Sequence, residues 1–264
     1  MPEIELDGLS IHYDVLGEGE PIAFLNGVMM TAQSWVLQTS MFRQRYRCVM
    51  HDFRGQLLSS KPTTPWSMED HVEDFRAVVD ALEIERFHVV GTSYGGEVGM
   101  LFAAAYPERV KSLSLISCVS RVDPELEAAV AGWRDAALEA PETLCRVSLP
   151  FNFSPSFIAA HADVLAQGEA RLAGCPPAFF DAFARLIDAF QRLDATEALA
   201  HITCPTLVVV GELDALKPPR CSREIADRIS TSELLLVPDA GHAVIIEKPE
   251  EVNAALLGFI AKHG

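Results

Sequence analysis

The chain has 264 residues, enough for one large α/β domain or two small ones with a full core. It carries 37 acidic and 21 basic residues, a formal net charge of −16, which disfavours nucleic acid and anionic lipid as partners. No apolar run approaches the roughly 18–20 residues that a membrane span needs, and the acidic N-terminal stretch lacks a signal region, so we expect a cytoplasmic protein.

Eight short apolar segments are predicted as β-strands. The first two alternate apolar and polar residues and are joined by Asp7-Gly8, which indicates a hairpin. The later ones are near-continuous runs of β-branched residues and leucine, typical of strands buried on both faces of a sheet. The eight segments are 4–6, 11–16, 22–25, 47–50, 88–90, 113–117, 206–210 and 234–237.

Helical patterns separate most of these strands. Residues 69–82 place apolar side chains on one stripe, and residues 96–106 are rich in Gly and Ala, which suits a helix pressed against a sheet. A last helix begins at Pro249, a favoured first-turn residue. The alternation predicts an α/β fold with a mostly parallel, eight-stranded sheet and helices on both faces. The inward residues of the last helix are predicted to be Val252, Leu256, Phe259 and Ile260.

The interval 118–205 breaks this alternation. It has helical patterns divided by prolines, no convincing strand, and a length too great for a plain crossover. We predict that it is a helical lid inserted after the sixth strand, over the carboxyl edge of the sheet, with 1–117 and 206–264 forming the core domain. Phe151 and Phe153 are candidates to face a substrate from this lid.

The strongest chemical motif is Gly91-Thr92-Ser93-Tyr94-Gly95, which matches G-x-S-x-G between a predicted strand and a predicted helix. A nucleophile on such a sharp turn needs flanking glycines for close packing. The turn also places Ser93 at a helix N-terminus, which favours developing negative charge. Ser93 is therefore the candidate nucleophile; the alternative is a Gly-Ser turn without chemistry.

A serine hydroxyl needs a base, and His242 is the best candidate. It follows the last predicted strand and precedes the last helix, so it lies in a loop at the carboxyl edge of the sheet, where sites collect in open α/β folds. His51 and His71 are harder to dismiss than the other histidines but lack a comparable setting.

The base in turn needs a carboxylate to orient it, and Asp214 follows the predicted strand 206–210 at the same edge. The resulting order, Ser93 then Asp214 then His242, is the order of the α/β-hydrolase triad. Glu212 is the nearest rival, followed by Asp123.

An oxyanion formed at Ser93 would need backbone N–H donors. The residue after the nucleophile, Tyr94, supplies one, and we assign the second to Val28 in the loop after the third strand. Asn26 and Met29 in the same loop are candidate substrate-binding residues.

With these residues, the chain resembles the α/β-hydrolase family over nearly its whole length. The resemblance extends to segments 52–55, 59–62, 240–242 and 247–249. Relatives with this pattern include esterases, enol-lactonases, cofactor-free haloperoxidases and C–C bond hydrolases.

The sequence departs from most relatives at two places. Asn26-Gly27 stands where most have His-Gly, and Gly55-Gln56-Leu57 stands where most have Gly-His-Gly. The stretch 25–35 is similar to that of hydroxyacyl transferases, whose elbow usually has Trp at the position of Tyr94.

The leading functional hypothesis is hydrolysis of a carboxylic ester, thioester or lactone with an apolar acyl part, through an acyl-enzyme on Ser93. Acyl transfer to an alcohol or thiol is the first alternative, and a non-catalytic ligand receptor on the same fold is the second. A small-molecule substrate is expected, and a homodimer stays open. No metal-ligand cluster and no nucleotide-binding glycine signature is visible, so no cofactor or metal is expected.

Overall fold

The computed structural model describes residues 2–264. Within them, eight strands form one sheet in the spatial order 1-2-4-3-5-6-7-8. The first strand pairs antiparallel with the second, the second pairs antiparallel with the fourth, and all other pairs are parallel. The strands are β1 (Glu3–Leu6), β2 (Leu9–Leu16), β3 (Glu20–Leu25), β4 (Tyr46–His51), β5 (Phe87–Thr92), β6 (Val110–Ile116), β7 (Thr206–Gly211) and β8 (Ser232–Val237).

The parallel register brings the carboxyl ends of the central strands to one edge. Leu25 at the end of β3 pairs with Gly91 in β5, and Thr92 at the end of β5 pairs with Ile116 in β6. Ile116 also pairs with Val209 near the end of β7. Loops that follow β3, β5, β6 and β7 therefore start side by side, as the sequence order predicted for a site at this edge.

Helices cover both faces of the sheet, as predicted. One hydrophobic cluster joins the second and third helices to one face, and a second cluster joins the first and last helices to the other. The helices are α1 (Val36–Phe42), α2 (Met68–Ala81), α3 (Tyr94–Ala105), α4 (Pro124–Glu139), α5 (Leu144–Asn152), α6 (Pro155–Ala160), α7 (Ala162–Ala173), α8 (Pro177–Phe190), α9 (Pro219–Arg228), α10 (Val244–Glu247) and α11 (Pro249–His263).

Local sequence explains where several helices begin. Ser67 and Asp70 form a reciprocal capping box at the start of α2, with the Asp70 carboxylate accepting from the Ser67 backbone N–H at 2.7 Å. Asp123 caps α4 by accepting from the N–H of Leu126 at 2.9 Å. Pro249 occupies the first turn of α11, where a missing N–H costs no hydrogen bond.

The long segment between β6 and β7 contains α4 to α8. Helices α4 and α8 pack on each other, and α8 buries a run of aromatic and aliphatic side chains against the larger cluster. The side chains buried from α8 include Phe180, Phe183, Leu186, Ile187 and Phe190. That this segment acts as a lid, and forms a domain of its own, stays a prediction.

Two expectations on secondary structure need correction. β8 lies at the edge of the sheet, and Leu234 and Leu236 are 42% and 36% exposed, so this strand is not buried on both faces. The helices α1, α9 and α10 were not predicted, because they are short and their apolar residues do not repeat over enough turns. Among residues 2–264, no helix combines the length and the hydrophobicity needed to cross a membrane.

Candidate active site

Ser93 lies at a sharp turn between β5 and α3. Its backbone has φ 50° and ψ −123°, a left-handed conformation that is strained for a residue with a side chain. Gly91 and Gly95 permit this turn, because a Cβ on Gly91 would lie 2.5 Å from the carbonyl oxygen of Gly95, and a Cβ on Gly95 would lie 2.2 Å from that of Leu25. The turn therefore presses against the end of β3 and projects the serine hydroxyl above the sheet edge.

Ser93, His242 and Asp214 are joined by a continuous line of hydrogen bonds. The Nε2 atom of His242 is 3.0 Å from Ser93 Oγ, and its Nδ1 atom is 2.9 Å from Asp214 Oδ2. His242 and Asp214 are buried, at 6% and 3% exposure, and Ser93 is partly exposed. This geometry allows the histidine to take the serine proton while the carboxylate holds the ring by its other nitrogen.

The second oxygen of Asp214 is also occupied. Its Oδ1 atom accepts from the backbone N–H groups of Leu216 at 3.0 Å and Lys217 at 2.8 Å. These bonds leave Oδ2 directed at His242. The two alternative candidates for the acid have other environments. Glu212 is exposed, and Asp123 accepts from Arg220 at 2.9 Å and caps α4.

The loop that carries His242 is held by hydrogen bonds on two sides. Ser117 donates its hydroxyl to the carbonyl oxygen of His242 at 2.9 Å. Glu247 accepts from the N–H of Gly241 at 3.0 Å and from the hydroxyl of Ser154 at 2.5 Å. The start of α6 is therefore bonded to the histidine loop, so the segment after β6 is tied directly to the candidate site.

The loop after β3 is held by a buried group of amides. Asn26 donates to Gln56 Oε1 at 3.1 Å and to the carbonyl oxygen of His51 at 2.9 Å, and its own oxygen accepts from Trp35 Nε1 at 2.9 Å. Gln56 Nε2 donates to the carbonyl oxygen of Gly27 at 2.8 Å. The two positions at which the sequence departs from most relatives thus contact each other.

The Gly27 carbonyl oxygen accepts from Gln56 Nε2 and also from the N–H of Met30 at 3.0 Å, and these two bonds set the direction of the Gly27–Val28 peptide. In a trans peptide the C=O and N–H groups point in opposite directions, so a carbonyl held by Gln56 turns the Val28 N–H the other way. Among residues 2–264, neither the Val28 N–H nor the Tyr94 N–H donates to another protein group. Both residues line a small pocket next to Ser93, which is the position an oxyanion would take.

The side chain of Tyr94 is buried in the core. Its hydroxyl is 2.8 Å from His71 Nε2, and burial raises the pKa of the phenol while it lowers that of the histidine. His71 is therefore a neutral partner of Tyr94, which argues against its use as the base. His51 is fully buried as well, and desolvation lowers its pKa to about 3.

An unpredicted ion pair reaches Ser93. Lys217 Nζ lies 2.8 and 2.9 Å from the two carboxylate oxygens of Glu97 and 3.2 Å from Ser93 Oγ. Both charged side chains are buried, at 2% and 0% exposure. Desolvation raises the pKa of Glu97, against the opposing effects of Lys217 and of the Val119 N–H, which donates to it at 2.9 Å.

A mainly apolar cavity of about 250 Å³ opens over Ser93 and His242. Met29 and Phe153, both predicted as substrate-binding residues, lie in its wall. Asn26 and Phe151 do not: the amide of Asn26 is fully buried, and Phe151 packs at 6.1 Å from the Trp133 ring. Other residues of the wall are Gly27, Val28, Met30, Ser34, Thr92, Trp133, Asn152, Leu216, Ala243, Ile245 and Ile246.

Sequence reasoning missed Lys217, Glu97 and the wall residue Trp133. Glu97 did carry a signal, because it is the lone charge in the apolar helix α3, and a buried carboxylate needs a partner. Lys217 could not be chosen as that partner from sequence, since 120 residues separate the two.

Comparison with known proteins gives a consistent result. A model of the alpha/beta hydrolase fold family matches residues 21–249. RutD of Azorhizobium caulinodans, which carries the name carbamate hydrolase, is 31% identical over 260 residues, 98% of each chain. MGS-M2, an alpha/beta hydrolase enzyme from a Medee basin deep-sea metagenome library, has a TM-score of 0.95 and 27% identity, covering 98% of this chain and 97% of its own. Est816, an N-acyl homoserine lactone degrading enzyme, has a TM-score of 0.84 and 31% identity, covering 98% and 100%.

Proposed function

This chain belongs to the alpha/beta hydrolase fold family, and on that premise we propose that it hydrolyses a carboxylic ester, thioester or lactone through an acyl-enzyme on Ser93. One observation carries the proposal: Ser93, His242 and Asp214 form an unbroken hydrogen-bonded line that ends at an apolar cavity. Two free backbone N–H groups beside the serine supply what a tetrahedral intermediate needs.

The mechanism follows from these positions. Ser93 Oγ attacks the carbonyl carbon while its proton passes to His242 Nε2, and the carbonyl electron pair moves to the oxygen, which accepts from the N–H groups of Val28 and Tyr94. The intermediate collapses, and His242 returns the proton to the departing alcohol or thiol. Water then repeats the sequence at the acyl carbon and releases the acid, with Asp214 holding the ring orientation throughout.

The cavity favours an apolar acyl group. Its wall includes Met29, Phe153, Trp133 and Ile245, and its volume of about 250 Å³ exceeds the ~150 Å³ cavity that accommodates benzene in another protein. A lactone fits the same chemistry, because its leaving alcohol stays attached to the acyl part. Two relatives act, by their names, on a carbamate and on an acyl homoserine lactone, and both bonds join a carbonyl carbon to a heteroatom.

Acyl transfer to an alcohol or thiol remains the competing use of the same acyl-enzyme. The relatives compared above carry hydrolase names or degrade a lactone, so none of them favours transfer. A non-catalytic receptor would not require the aligned hydrogen bonds at Ser93. We therefore place hydrolysis first.

The test is release of nitrophenol from acetate to decanoate esters, together with ring opening of N-acyl homoserine lactones. Ser93→Ala should fold normally and lose on the order of 10⁴–10⁶ in turnover. Serine-dependent turnover without an added acceptor supports hydrolysis. The acyl length that is hydrolysed fastest indicates the size of the cavity. A burst of nitrophenol release that stalls until a hydroxyacid is added would establish transfer instead. Full activity of Ser93→Ala would contradict the assignment of Ser93 as the nucleophile.

A further inference from the structure

We propose that Lys217 is a fourth catalytic residue, whose ammonium group donates a hydrogen bond to Ser93 Oγ during attack and release, with Glu97 holding it in place. The inference rests on the proposed function, because it concerns the same serine. It adds a charged group to a site in which the triad and the backbone N–H groups were the only elements expected from sequence.

The first argument is the match between donors and acceptors. A charged lysine has three N–H donors, and Lys217 Nζ has three acceptors within reach: both oxygens of Glu97 and Ser93 Oγ. The ring of Phe190 lies 4.6 Å from Nζ and closes off the remaining side. Ser93 Oγ can complement this arrangement, since at 3.0 Å from His242 Nε2 it can donate its own proton to the ring and keep a lone pair for the lysine.

The second argument is that both the backbone and the side chain of Lys217 bond to residues of the site. Its backbone N–H donates to Asp214 Oδ1 at 2.8 Å, while its side chain reaches Ser93. One residue therefore sets the position of the candidate acid and contacts the nucleophile. Lys217 also lines the small pocket that Val28 and Tyr94 line.

The third argument is that Lys217 and Glu97 form an ion pair in which both side chains are buried. Glu97 lies in the first turn of α3, where the helix dipole favours a negative charge, and it accepts a further bond from Val119. Burying two charges is costly and rarely stabilises a fold more than apolar packing would. A role in the reaction explains why both charges lie at the nucleophile.

The chemistry is electrostatic, and the lysine keeps its proton throughout. As Ser93 Oγ forms the bond to carbon, its proton goes to His242 Nε2, and the partial negative charge on Oγ is stabilised by the Lys217 N–H. In deacylation Oγ is the leaving group, and the same N–H stabilises the electron pair that returns to it before His242 reprotonates it. Both halves of the reaction therefore use the lysine.

A purely structural role is the alternative, since the pair also ties α3 to the loop after β7. The two roles separate when the charge is removed from both partners at once. Lys217→Met alone would leave Glu97 as an unpaired buried carboxylate and destabilise the fold. The double variant Lys217→Met/Glu97→Gln removes both charges and keeps the volumes close to native.

The experiment is the rate of covalent labelling by an alkyl fluorophosphonate, which reports attack by Ser93 whatever the natural substrate is. The matched control is Lys111→Met/Glu20→Gln, which removes a Lys–Glu pair at the amino edge of the same sheet. Urea unfolding midpoints are measured for every variant, and Ser93→Ala serves as the blank.

We expect the Lys217→Met/Glu97→Gln variant to unfold near the wild-type midpoint and to be labelled about 10²-fold more slowly, the size of effect typical for one donor to developing charge. The Lys111→Met/Glu20→Gln control should be labelled at the wild-type rate. Labelling of the double variant within threefold of wild type would overturn the inference and leave the proposed function intact, and so would an equal loss in the control. A wild-type protein that is not labelled at Ser93 would overturn both.

Discussion

The amide contact between Gln56 and the loop after β3 predicts that Gln56→Glu impairs catalysis more than folding. Glutamate has almost the same shape and can still accept from Asn26 and from the N–H of Phe53, the latter at 2.9 Å in the native protein. The ionised carboxylate cannot donate to the carbonyl oxygen of Gly27, 2.8 Å from the native amide nitrogen, and it places a negative charge against that oxygen.

The size of each effect can be estimated from these bonds. Loss of the hydrogen bond itself costs about 0.5–1.5 kcal/mol of folding free energy, and the buried carboxylate adds a desolvation cost that a Gln→Glu change at the equally buried Gln38 shares. The N–H of Met30 still donates to the Gly27 oxygen at 3.0 Å, so the turn itself should persist. An aligned oxyanion donor contributes about 10²–10³ in rate, and a misaligned Val28 N–H would forfeit part of it. We expect kcat/KM to fall by roughly tenfold to a hundredfold.

The assay compares kcat/KM for the best nitrophenyl ester with the free energy of unfolding in urea. The matched control is Gln38→Glu, since Gln38 is equally buried and donates to a carbonyl oxygen, that of Ile245, at 3.0 Å. Both variants should lose stability, but only Gln56→Glu should lose the larger factor in kcat/KM. A kcat/KM within threefold of wild type, or an equal loss in the control, would refute the argument that Gln56 aims the Val28 N–H.

Two further predictions concern the acid and the pH dependence of stability. Asp214→Asn should fold and should lower kcat by about 10⁴, because it favours the wrong tautomer of the base. Glu212→Gln changes an exposed residue, so its kcat should stay within twofold of wild type. The reverse result would assign the acid to Glu212. Burial lowers the pKa of His51 to about 3 and that of His71 well below its usual value, so the unfolded chain binds more protons below its histidine pKa near 6.5. The free energy of unfolding should therefore have its full value above pH 6.5 and should fall by about 1.4 kcal/mol per pH unit for each histidine below that pH. Urea titrations at pH 7, 6 and 5 measure this fall. A free energy of unfolding that stays constant over this range would contradict the burial of neutral imidazoles.

The sheet could be predicted because its information is local. A run of β-branched residues and leucine identifies a strand by itself, and all eight predicted strands are present, with ends that differ by a few residues. Short helices such as α10 carry no comparable repeat. β8 was misjudged for a different reason: its leucines have the composition of a central strand, and only the order of strands in space makes it an edge.

In the candidate site, too, some residues could be chosen from local sequence and others could not. Ser93 and His242 could be chosen from motif and position, since each lies where a strand ends and a helix follows. Side-chain partners across the fold could not: Phe151 and Phe153 are two residues apart and equally apolar, yet Phe153 lines the cavity and Phe151 packs near Trp133. The choice between them depends on how the chain leaves α5, because Phe151 lies in the helix whereas Phe153 follows its end with an extended backbone, and a short helix that contains Pro150 does not reveal that exit.

The two departures from the family pattern illustrate why residues should be judged by their contacts. Taken singly, Asn26 and Gln56 each replace a histidine that most relatives carry, and Asn26 was predicted to bind a substrate. In the fold they are one unit: Asn26 donates to Gln56, and Gln56 donates to the Gly27 carbonyl. Amides do not titrate, so this support for the Val28 N–H has the same hydrogen bonds at every pH at which the chain is folded. We therefore expect acid to weaken the fold through His51 and His71 before it alters the direction of that N–H.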